Sequence, residues 1–575
     1  MINVFYDDER INVRLNKNIY KQVLDMAEKA DYFEYLNDIG IVSLPPTRRI
    51  AKKLYEMKLE FDSTAEIFIK DLKKVTVNTE RKNPFDFSEL SPLELRPYQQ
   101  EGVLWMLKNN FHFLLGDEMG LGKTIQIASY LFYKQSFPAL IICPASLKLN
   151  WEREINKWTQ KKCIILDGLN PYPVENYLNE FPVVIINYDI LGRKDKLEVE
   201  YESKRIIEAK KHDLPYKKKT IHPKGWIDIL KQIPFKTIVN DECQFIGNME
   251  TARSQCVIDL CKGVETARRI FLSGTPYTAA TKQFFPTLHL INGKIFNNKW
   301  RFQMEYCNPV KNRYGWTFDG LSNGKQLYTL VSSLMLRRLK KDVLTELPDK
   351  IKSIIPMKVD KKQYEKYQVI EHNIFKSEMK DERKSYQELK FEVYNAKAES
   401  CIQWIKEYLE YNNKLVVFVY HRDCFHKLLE TFPKIAIGIN GETPINKRQE
   451  YVDKFQNSIQ IKLFIGQIKA AGVGITLTAA SAVAFVEFGD TASQHGQAED
   501  RIHRIGQESD KVIIYYLIAP GTIDENIIEN IETGYANQKK VLDGDENAKF
   551  IDTEESGEFV KNVLKARKNK LYNNI

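Results

Sequence analysis

Short apolar runs rich in β-branched residues recur along this chain, separated by longer stretches in which apolar residues return at helical spacing. FHFLL (111–115), ALIIC (139–143), VVIIN (183–187), TIVND (237–241) and RIFLSG (269–274) form one series. KLVVFVY (414–420), IAIGI (435–439), KLFIG (462–466), AVAFVEF (482–488) and KVIIYYLI (511–518) form a second. Runs that are apolar without alternation belong to strands covered on both faces, as in parallel sheets with crossover helices above and below. Strand and helix signals in alternation predict a doubly wound α/β sheet, and two series predict two such lobes in tandem. Between them, Met357 to Phe432 contains neither Gly nor Pro, and stretches such as QYEKYQVIEHNIF carry helical periodicity. This predicts a helical protrusion, with the second sheet beginning near Lys414.

Length agrees with more than one core, since 575 residues exceed what a single one usually supports. The expected boundaries are a small N-terminal accessory domain over 1–90, a first lobe over 91–345, the protrusion with the second lobe over 346–545, and a C-terminal tail over 546–575. Within the first lobe, 192–225 is charged throughout and includes the run Lys217 to Lys219. A solvated surface insertion and a DNA-binding loop are both open there. Ala470 to Val486 carries no charge and is almost long enough to span a membrane, but its Gly, Thr and Ser content predicts a tight loop entering a buried strand.

Lys and Arg number 85 against 76 Asp and Glu, a formal net charge of +9. For this length the excess permits a polyanionic partner without requiring one. The eight cysteines are scattered with no C-x-x-C pair, so neither a zinc ribbon nor a disulfide framework is expected. MINVFYDDERINVRL has acids where a signal peptide needs a basic start, so an intracellular chain without a membrane anchor is expected.

Three stretches carry chemistry. GDEMGLGKTIQ (116–126) directly follows an apolar run, and a glycine-rich turn between strand and helix grips phosphate through close backbone N–H groups and the helix dipole. In the pattern G-x-x-x-x-G-K-[ST], Gly122, Lys123 and Thr124 fill the last places, while Asp117 stands where the first glycine belongs. NDECQ (240–244) ends the run TIVND, so Asp241 could hold hydrated Mg²⁺ and Glu242 orient and deprotonate a water attacking ATP. QAEDRIHRIGQ (497–507) sets Arg501 and Arg504 three apart, expected on one helix face. Their guanidinium groups suit the charge of a transferring phosphoryl group, although a surface pair in salt bridges is the plain alternative.

Together with LRPYQQEGVLWM (95–106), ICPASLKLNWEREINKW (142–158), LSGTP (272–276), LMLRRLKKDVLTELPDK (334–350), INGETPINKRQEYVDKFQ (439–456) and AAGVGITLTAAS (470–481), these stretches resemble the ordered motif series of the Swi/Snf-type superfamily 2 DNA translocases over roughly residues 91–545. Their phrasing is most similar to the compact branch that includes the annealing helicases, in which bacterial and phage members occur. The resemblance implies two RecA-like lobes with helical protrusions and an ATPase that uses ATP and Mg²⁺. It implies ATP binding by Arg96, Gln99, Asp117, Glu118, Met119, Gly120, Leu121, Gly122, Lys123, Thr124 and Gly474, with Arg501 and Arg504 reaching across from the second lobe. The catalytic set it implies is Glu242, Asp241, Lys123, Arg501 and Arg504, and the Mg²⁺ ligands are Thr124 and Asp241. Asp at the position of Asp117 is the superfamily's own version of the loop. Departures are Gln244 in place of a common His, Tyr277-Thr278 after SGTP, and GDT at 489–491 where Trp-x-Pro is common; they leave coupling efficiency open.

Double-stranded DNA as the track also comes from the resemblance. Candidate backbone contacts are Ser146, Lys148, Arg337, Arg338, Lys340, Lys341, Lys447 and Arg448, which would fix position without reading sequence. Rival readings are an RNA-directed superfamily 2 helicase, which would more often show DEAD and HRIGR, and a non-hydrolysing scaffold, which would more often have lost one of the catalytic residues. A monomer is expected, with a protein partner as one route to targeting. It would lie in the cytoplasm or nucleoid if bacterial or phage, and in the nucleus if eukaryotic.

Overall fold

All ten apolar runs become strands. The computed structural model describes residues 4–7, 10–14, 23, 34–36, 41–44, 54, 94–109, 111–212, 221–312, 315–344, 346–376, 382–471 and 475–551. The chain divides into two units, 1–89 and 90–575. In the first, β1 (Val4–Asp7), β2 (Arg10–Arg14), β3 (Glu34–Leu36) and β4 (Ile41–Leu44) form an antiparallel sheet in the order β1-β2-β4-β3.

In the second unit, the first lobe is a sheet of β5 (Phe113–Leu115), β6 (Ala139–Cys143), β7 (Cys163–Ile165), β8 (Val183–Asn187), β9 (Thr237–Asp241) and β10 (Arg268–Leu272). It is completed, beyond the hairpin of β11 (Val310–Asn312) and β12 (Gly315–Thr317), by β13 (Met335–Leu336). The order β13-β5-β10-β9-β6-β8-β7 is parallel throughout. Strands β5, β6, β8 and β9 are buried along their whole length, which is why their sequences show no alternation. Since β10 lies between β5 and β9, the segments leaving the C-terminal ends of these three strands are brought side by side, where open α/β sheets bind ligands.

The second lobe contains β14 (Asp349–Pro356), β15 (Leu415–Val419), β16 (Ala436–Ile439), β17 (Leu463–Gln467), β18 (Ala482–Phe485) and β19 (Lys511–Ile518), parallel in the order β14-β19-β18-β15-β17-β16. Here the expected start near Lys414 needs correction, because the sheet already begins at Asp349. β14 is an edge strand with only one fully buried residue, and its two lysines, which hide it from a hydropathy reading, are consumed internally. Lys350 Nζ lies 3.0 Å and Lys352 Nζ 2.9 Å from the buried Glu499 carboxylate. The helices Lys361–Lys376 and Glu382–Tyr411 occupy the stretch expected to be helical, and Tyr394, Ala398, Cys401, Ile405 and Leu409 of the second pack in the second lobe's core. The uncharged stretch ends in β18, buried at every position, and among the described residues no helix is long and apolar enough to cross a membrane.

The insertion after β8 carries helix Lys196–Lys211, and its base is closed by a bridge between Arg193 and Lys224. Lys217 to Lys219, and the tail from 552 onward, lie outside the described residues. The helix Ile523–Leu542 starts in one lobe and ends in the other. Ile527, Ile528 and Ile531 belong to the second lobe's core, whereas Val541 and Leu542 are buried in the first lobe's core. At roughly 1.5–3 kcal/mol for each fully buried aliphatic side chain, this helix braces both.

Candidate active site

The phosphate-loop sequence leaves β5 at Gly116 and enters the helix Lys123–Lys134. Gly120 (φ +89°) and Gly122 (φ +73°) hold the left-handed backbone that the turn requires. A β-carbon at Gly122 would come within 2.5 Å of Gln99 Nε2. Gln99 is itself oriented: its Oε1 accepts from the Arg96 N–H at 3.0 Å while its Nε2 donates to Leu121 O at 3.3 Å. The Arg96 side chain is partly exposed and pairs with Glu346. Lys123 Nζ donates to Asp117 O (2.8 Å) and Glu118 O (3.3 Å), so its ammonium rests on loop carbonyls. Burial lowers its pKa, against the opposing charges of Glu242, Asp117 and Asp241. Thr124 follows on the first turn of the helix, half-buried, while Met119, like Glu118, is half-buried in the loop.

The two acids of the loop are engaged by protein groups. The buried Asp117 carboxylate pairs with the Arg338 guanidinium, accepting from Arg338 Nε at 3.0 Å and from Gln126 Nε2 at 3.0 Å. Glu118 Oε2 accepts from the Lys340 N–H at 2.7 Å, and its Oε1 from Lys539 Nζ at 3.3 Å. Burial would raise the Glu118 carboxyl, but Lys539, the Lys340 N–H and Arg337 outweigh it and hold it below the usual range. In place of a first glycine, the loop therefore uses carboxylates to lock itself to the segment that leads out of the first lobe.

These pairs correct part of the expected DNA surface. Arg337 forms an ion pair with Asp543 and donates to Gly116 O (2.6 Å) and Gly274 O (3.0 Å). Arg338 is spent on Asp117. Lys340 is buried and donates to His503 O (2.9 Å), with Asp500 at 3.0 Å. Lys148 is buried on Leu166 O and Asp167, and Arg448 caps the carbonyls of Thr443, Asn440 and Ala470. Four of these cations are paired with carboxylates and the donors of Arg448 are taken by carbonyls, which leaves little for a phosphate. Ser146, Lys341 and Lys447 remain exposed. Removing one partner of a buried ion pair strands the other charge, so Asp117→Ala is expected to lower unfolding free energy by about 3–5 kcal/mol. The urea midpoint of the purified variant checks this, and a loss under about 1 kcal/mol would contradict the role given to Asp117.

At the end of β9, Asp241 is buried, with Oδ2 accepting from Trp151 Nε1 at 2.8 Å and Oδ1 from the Glu242 N–H at 3.0 Å. Burial and the adjacent Glu242 carboxylate push its pKa up to about 7. Such a carboxyl is stabilised in its charged form by a cation. Glu242 sits at φ +55°, ψ +57°, a left-handed conformation that costs a non-glycine residue energy and concentrates at functional sites. Gln244, a departure from the expected motif, lies between two functional segments. Its Nε2 donates to Glu242 Oε2 at 2.7 Å, and its Oε1 accepts from Ser273 Oγ at 2.7 Å. Ser273 Oγ also accepts from the Thr275 N–H. A β-carbon on Gly274 would approach Met119 N to 3.1 Å, so SGTP packs directly on the phosphate loop. Tyr277 and Thr278 turn their carbonyls to Gln538 Nε2 of the brace.

Arg501 and Arg504 lie in turns beyond helix Ala492–Glu499, not on the helix face expected for them. The Lys340 and Lys350 contacts at Asp500 draw the chain into the cleft at that point. Arg501 donates to Gln497 O and Ile475 O; Arg504 donates to Asp500 O (2.8 Å) and Thr476 Oγ1 (3.1 Å). Burial and the Arg504 charge push Arg501 down to about 9, with Asp500 and Glu242 opposing. A β-carbon on Gly120 would lie 4.0 Å from Arg504 Cγ. Arg504 of the second lobe thus approaches the first lobe's loop, and Glu242 of the first lobe is close enough to act on the Arg501 charge. Gly474 lies outside the described residues. Trp151 and Lys539 were not among the residues singled out from sequence, and nothing in their local spacing marks them.

Among the described residues no three His, Cys, Asp or Glu side chains cluster as for a bound metal. A nucleotide-bound Mg²⁺ needs no such cluster, since it takes one or two protein ligands with phosphate and water. Glycines open to a close anion, a lysine at the loop, and a carboxyl that gains by meeting a cation fit ATP with Mg²⁺.

A family model for the SNF2-related domain matches residues 98–401, and one for the helicase conserved C-terminal domain matches 397–506. The SWI/SNF-related matrix-associated actin-dependent regulator of chromatin subfamily A-like protein 1 homolog of Caenorhabditis elegans is 31% identical over 445 residues, 75% of this chain and 59% of that protein. The DNA annealing helicase and endonuclease ZRANB3 of Homo sapiens is 31% identical over 487 residues, 81% of this chain and 42% of that one. The chain spans about half the length of these relatives. A solved structure of the Sulfolobus solfataricus SWI2/SNF2 ATPase core in complex with dsDNA matches at 23% identity and a TM-score of 0.34, covering 79% of this chain and 94% of that one.

Proposed function

Since the chain belongs to the SNF2-related family, whose two domains together make a helicase-type ATPase, we propose that it couples ATP hydrolysis to movement along double-stranded DNA, remodelling protein–DNA complexes or branched DNA. The observation that carries this reading is the approach of Arg504 from one lobe to Gly120 in the phosphate loop of the other, with the first lobe's Glu242 among the charges that act on Arg501.

Gln99, Gly120, Gly122 and Lys123 would hold ATP, and Lys123 would exchange the carbonyls of Asp117 and Glu118 for phosphate oxygens. Thr124 and Asp241 would hold Mg²⁺, whose charge offsets that of the phosphates. Glu242 orients the attacking water and takes its proton, while Gln244 fixes the Glu242 carboxylate and ties it to Ser273. Arg501 and Arg504 stabilise charge developing on the transferred group. Because the site is complete only with both lobes in place, turnover is linked to their relative movement. A grip on DNA by both lobes would turn that movement into steps. Ser146, Lys341 and Lys447 are the exposed groups retained for backbone contact. A monomer acting inside the compartment that holds the DNA is sufficient for this cycle.

Phosphate release measured with blunt duplex DNA, RNA duplex and no nucleic acid tests the reading. Stimulation by duplex DNA well above that by RNA is expected, and displacement of a third strand from a triplex reports the movement. Equal stimulation by RNA would overturn the DNA assignment.

A further inference from the structure

The hairpin of β11 and β12 takes no part in the site described so far. All six of its strand residues are exposed, and the pair forms a two-stranded sheet of its own. In its register Lys311 stands directly opposite Trp316, with Val310 opposite Thr317 and Asn312 opposite Gly315. Directly opposed residues share a face, so Trp316, 41% exposed, and the exposed Lys311 occupy the same face of the hairpin. Lys311 makes no ion pair among the described residues. The nearby acids are engaged elsewhere: Asp319 with Lys282 at 2.7 Å and Glu305 with Arg301 at 3.7 Å.

The base of the hairpin is anchored. Ser322 Oγ accepts from the Asn308 N–H at 3.1 Å and donates to Glu305 O at 2.8 Å, and the Ser322 N–H bonds Tyr306 O at 3.0 Å. Phe302 and Tyr306 of the preceding helix Lys299–Tyr306 are buried in the lobe's core. A two-stranded hairpin is marginal in water, and an exposed indole on one adds nothing to the fold. An aromatic ring beside an unneutralised cation is the combination that takes a nucleobase by stacking and its phosphate by charge. Bases inside an intact duplex are already stacked on one another, so the ring requires an unpaired base. Six exposed residues are also far fewer than the 20–30 a side of a standard protein interface.

Resting on the DNA-dependent reading above, we propose that the Lys311–Trp316 face of this hairpin binds an unpaired base at the junction of duplex and single-stranded DNA, giving the protein a preference for forked over blunt substrates.

The test uses the full chain and compares fluorescence anisotropy on a forked DNA with unpaired arms and on a blunt duplex of equal length, alongside ATPase stimulation by each. Trp316→Ala is expected to weaken fork binding about 5- to 100-fold, the range for loss of one stacked base. Blunt-duplex binding and duplex-stimulated hydrolysis should stay within about twofold, and Trp316→Phe should recover most of the fork affinity. Lys311→Ala should weaken fork binding less and reduce its salt dependence. A melting temperature equal to wild type confirms an intact fold. Fork affinity unchanged in Trp316→Ala overturns the proposal, as does equal loss on fork and duplex, or loss of a protein partner alone. Absence of any DNA stimulation in the wild type would instead defeat the underlying reading.

Discussion

Arg504→Ala is expected to lower DNA-stimulated ATP turnover by about 10³- to 10⁵-fold, the range over which arginine fingers act in phosphoryl transfer, while leaving ATP binding nearly intact. Arg504 belongs to the second lobe and is held there by Asp500 O and Thr476 Oγ1, so removing it disturbs none of the first-lobe contacts made by Lys123, Gln99 or Asp241. Its stem lies close to Gly120, 4.0 Å from where a β-carbon there would stand. Arg504→Lys keeps a cation but loses the planar fork of donors, and should recover only part of the rate. Single-turnover hydrolysis beside equilibrium binding of a fluorescent ATP analogue separates the two quantities. A turnover loss below about tenfold would remove the two-lobe site as the basis of catalysis.

Glu242→Gln is the second large effect, with hydrolysis reduced by about 10²- to 10⁴-fold, as for loss of a general base. The substitution preserves shape and leaves the Asp241 bonds to Trp151 Nε1 and the residue-242 N–H in place. It also removes the carboxylate charge that, after burial, is the main cause of the raised Asp241 pKa, so ATP·Mg²⁺ binding should persist and stability should not fall. The expected product is a protein that retains ATP on DNA without releasing phosphate, seen by filter binding with γ-labelled ATP. Release at wild-type rate would move the base to another group.

Much of this was legible before any coordinate, for a physical reason. Strands buried along their whole length, such as β6, β8, β15 and β18, are apolar at nearly every position, and the other runs are apolar enough over their inner residues to stand out beside them. The residues expected at the ATP site fall in short contiguous phrases, which a sequence displays directly. What stayed hidden depends on distant partners. β14 is missed because Lys350 and Lys352 look solvent-facing until Glu499 supplies their counter-charge. β13 spans two residues, and the apolar run around β7 is only CIIL, set between Lys162 and Asp167, so neither stands out. Arg337, Arg338, Lys340 and Lys148 look like phosphate grips because sequence gives their charge but not Asp543, Asp117, Asp500 and Asp167 beside them. Gln244 looks like a defect in its motif until Ser273, on the neighbouring strand end, shows what an amide can bridge.

The brace has a consequence for how the protein is made. Val541 and Leu542 complete a core whose other side chains come mainly from residues up to 335, and Asp543 supplies the counter-ion for Arg337. A ribosome adding about 5–20 residues per second leaves an interval of roughly 10–40 s between the emergence of the first lobe and that of its last buried contributors. During that time Arg337 lacks its carboxylate and part of an apolar face stays uncovered, so the first lobe cannot complete its packing until nearly the whole second lobe has been translated.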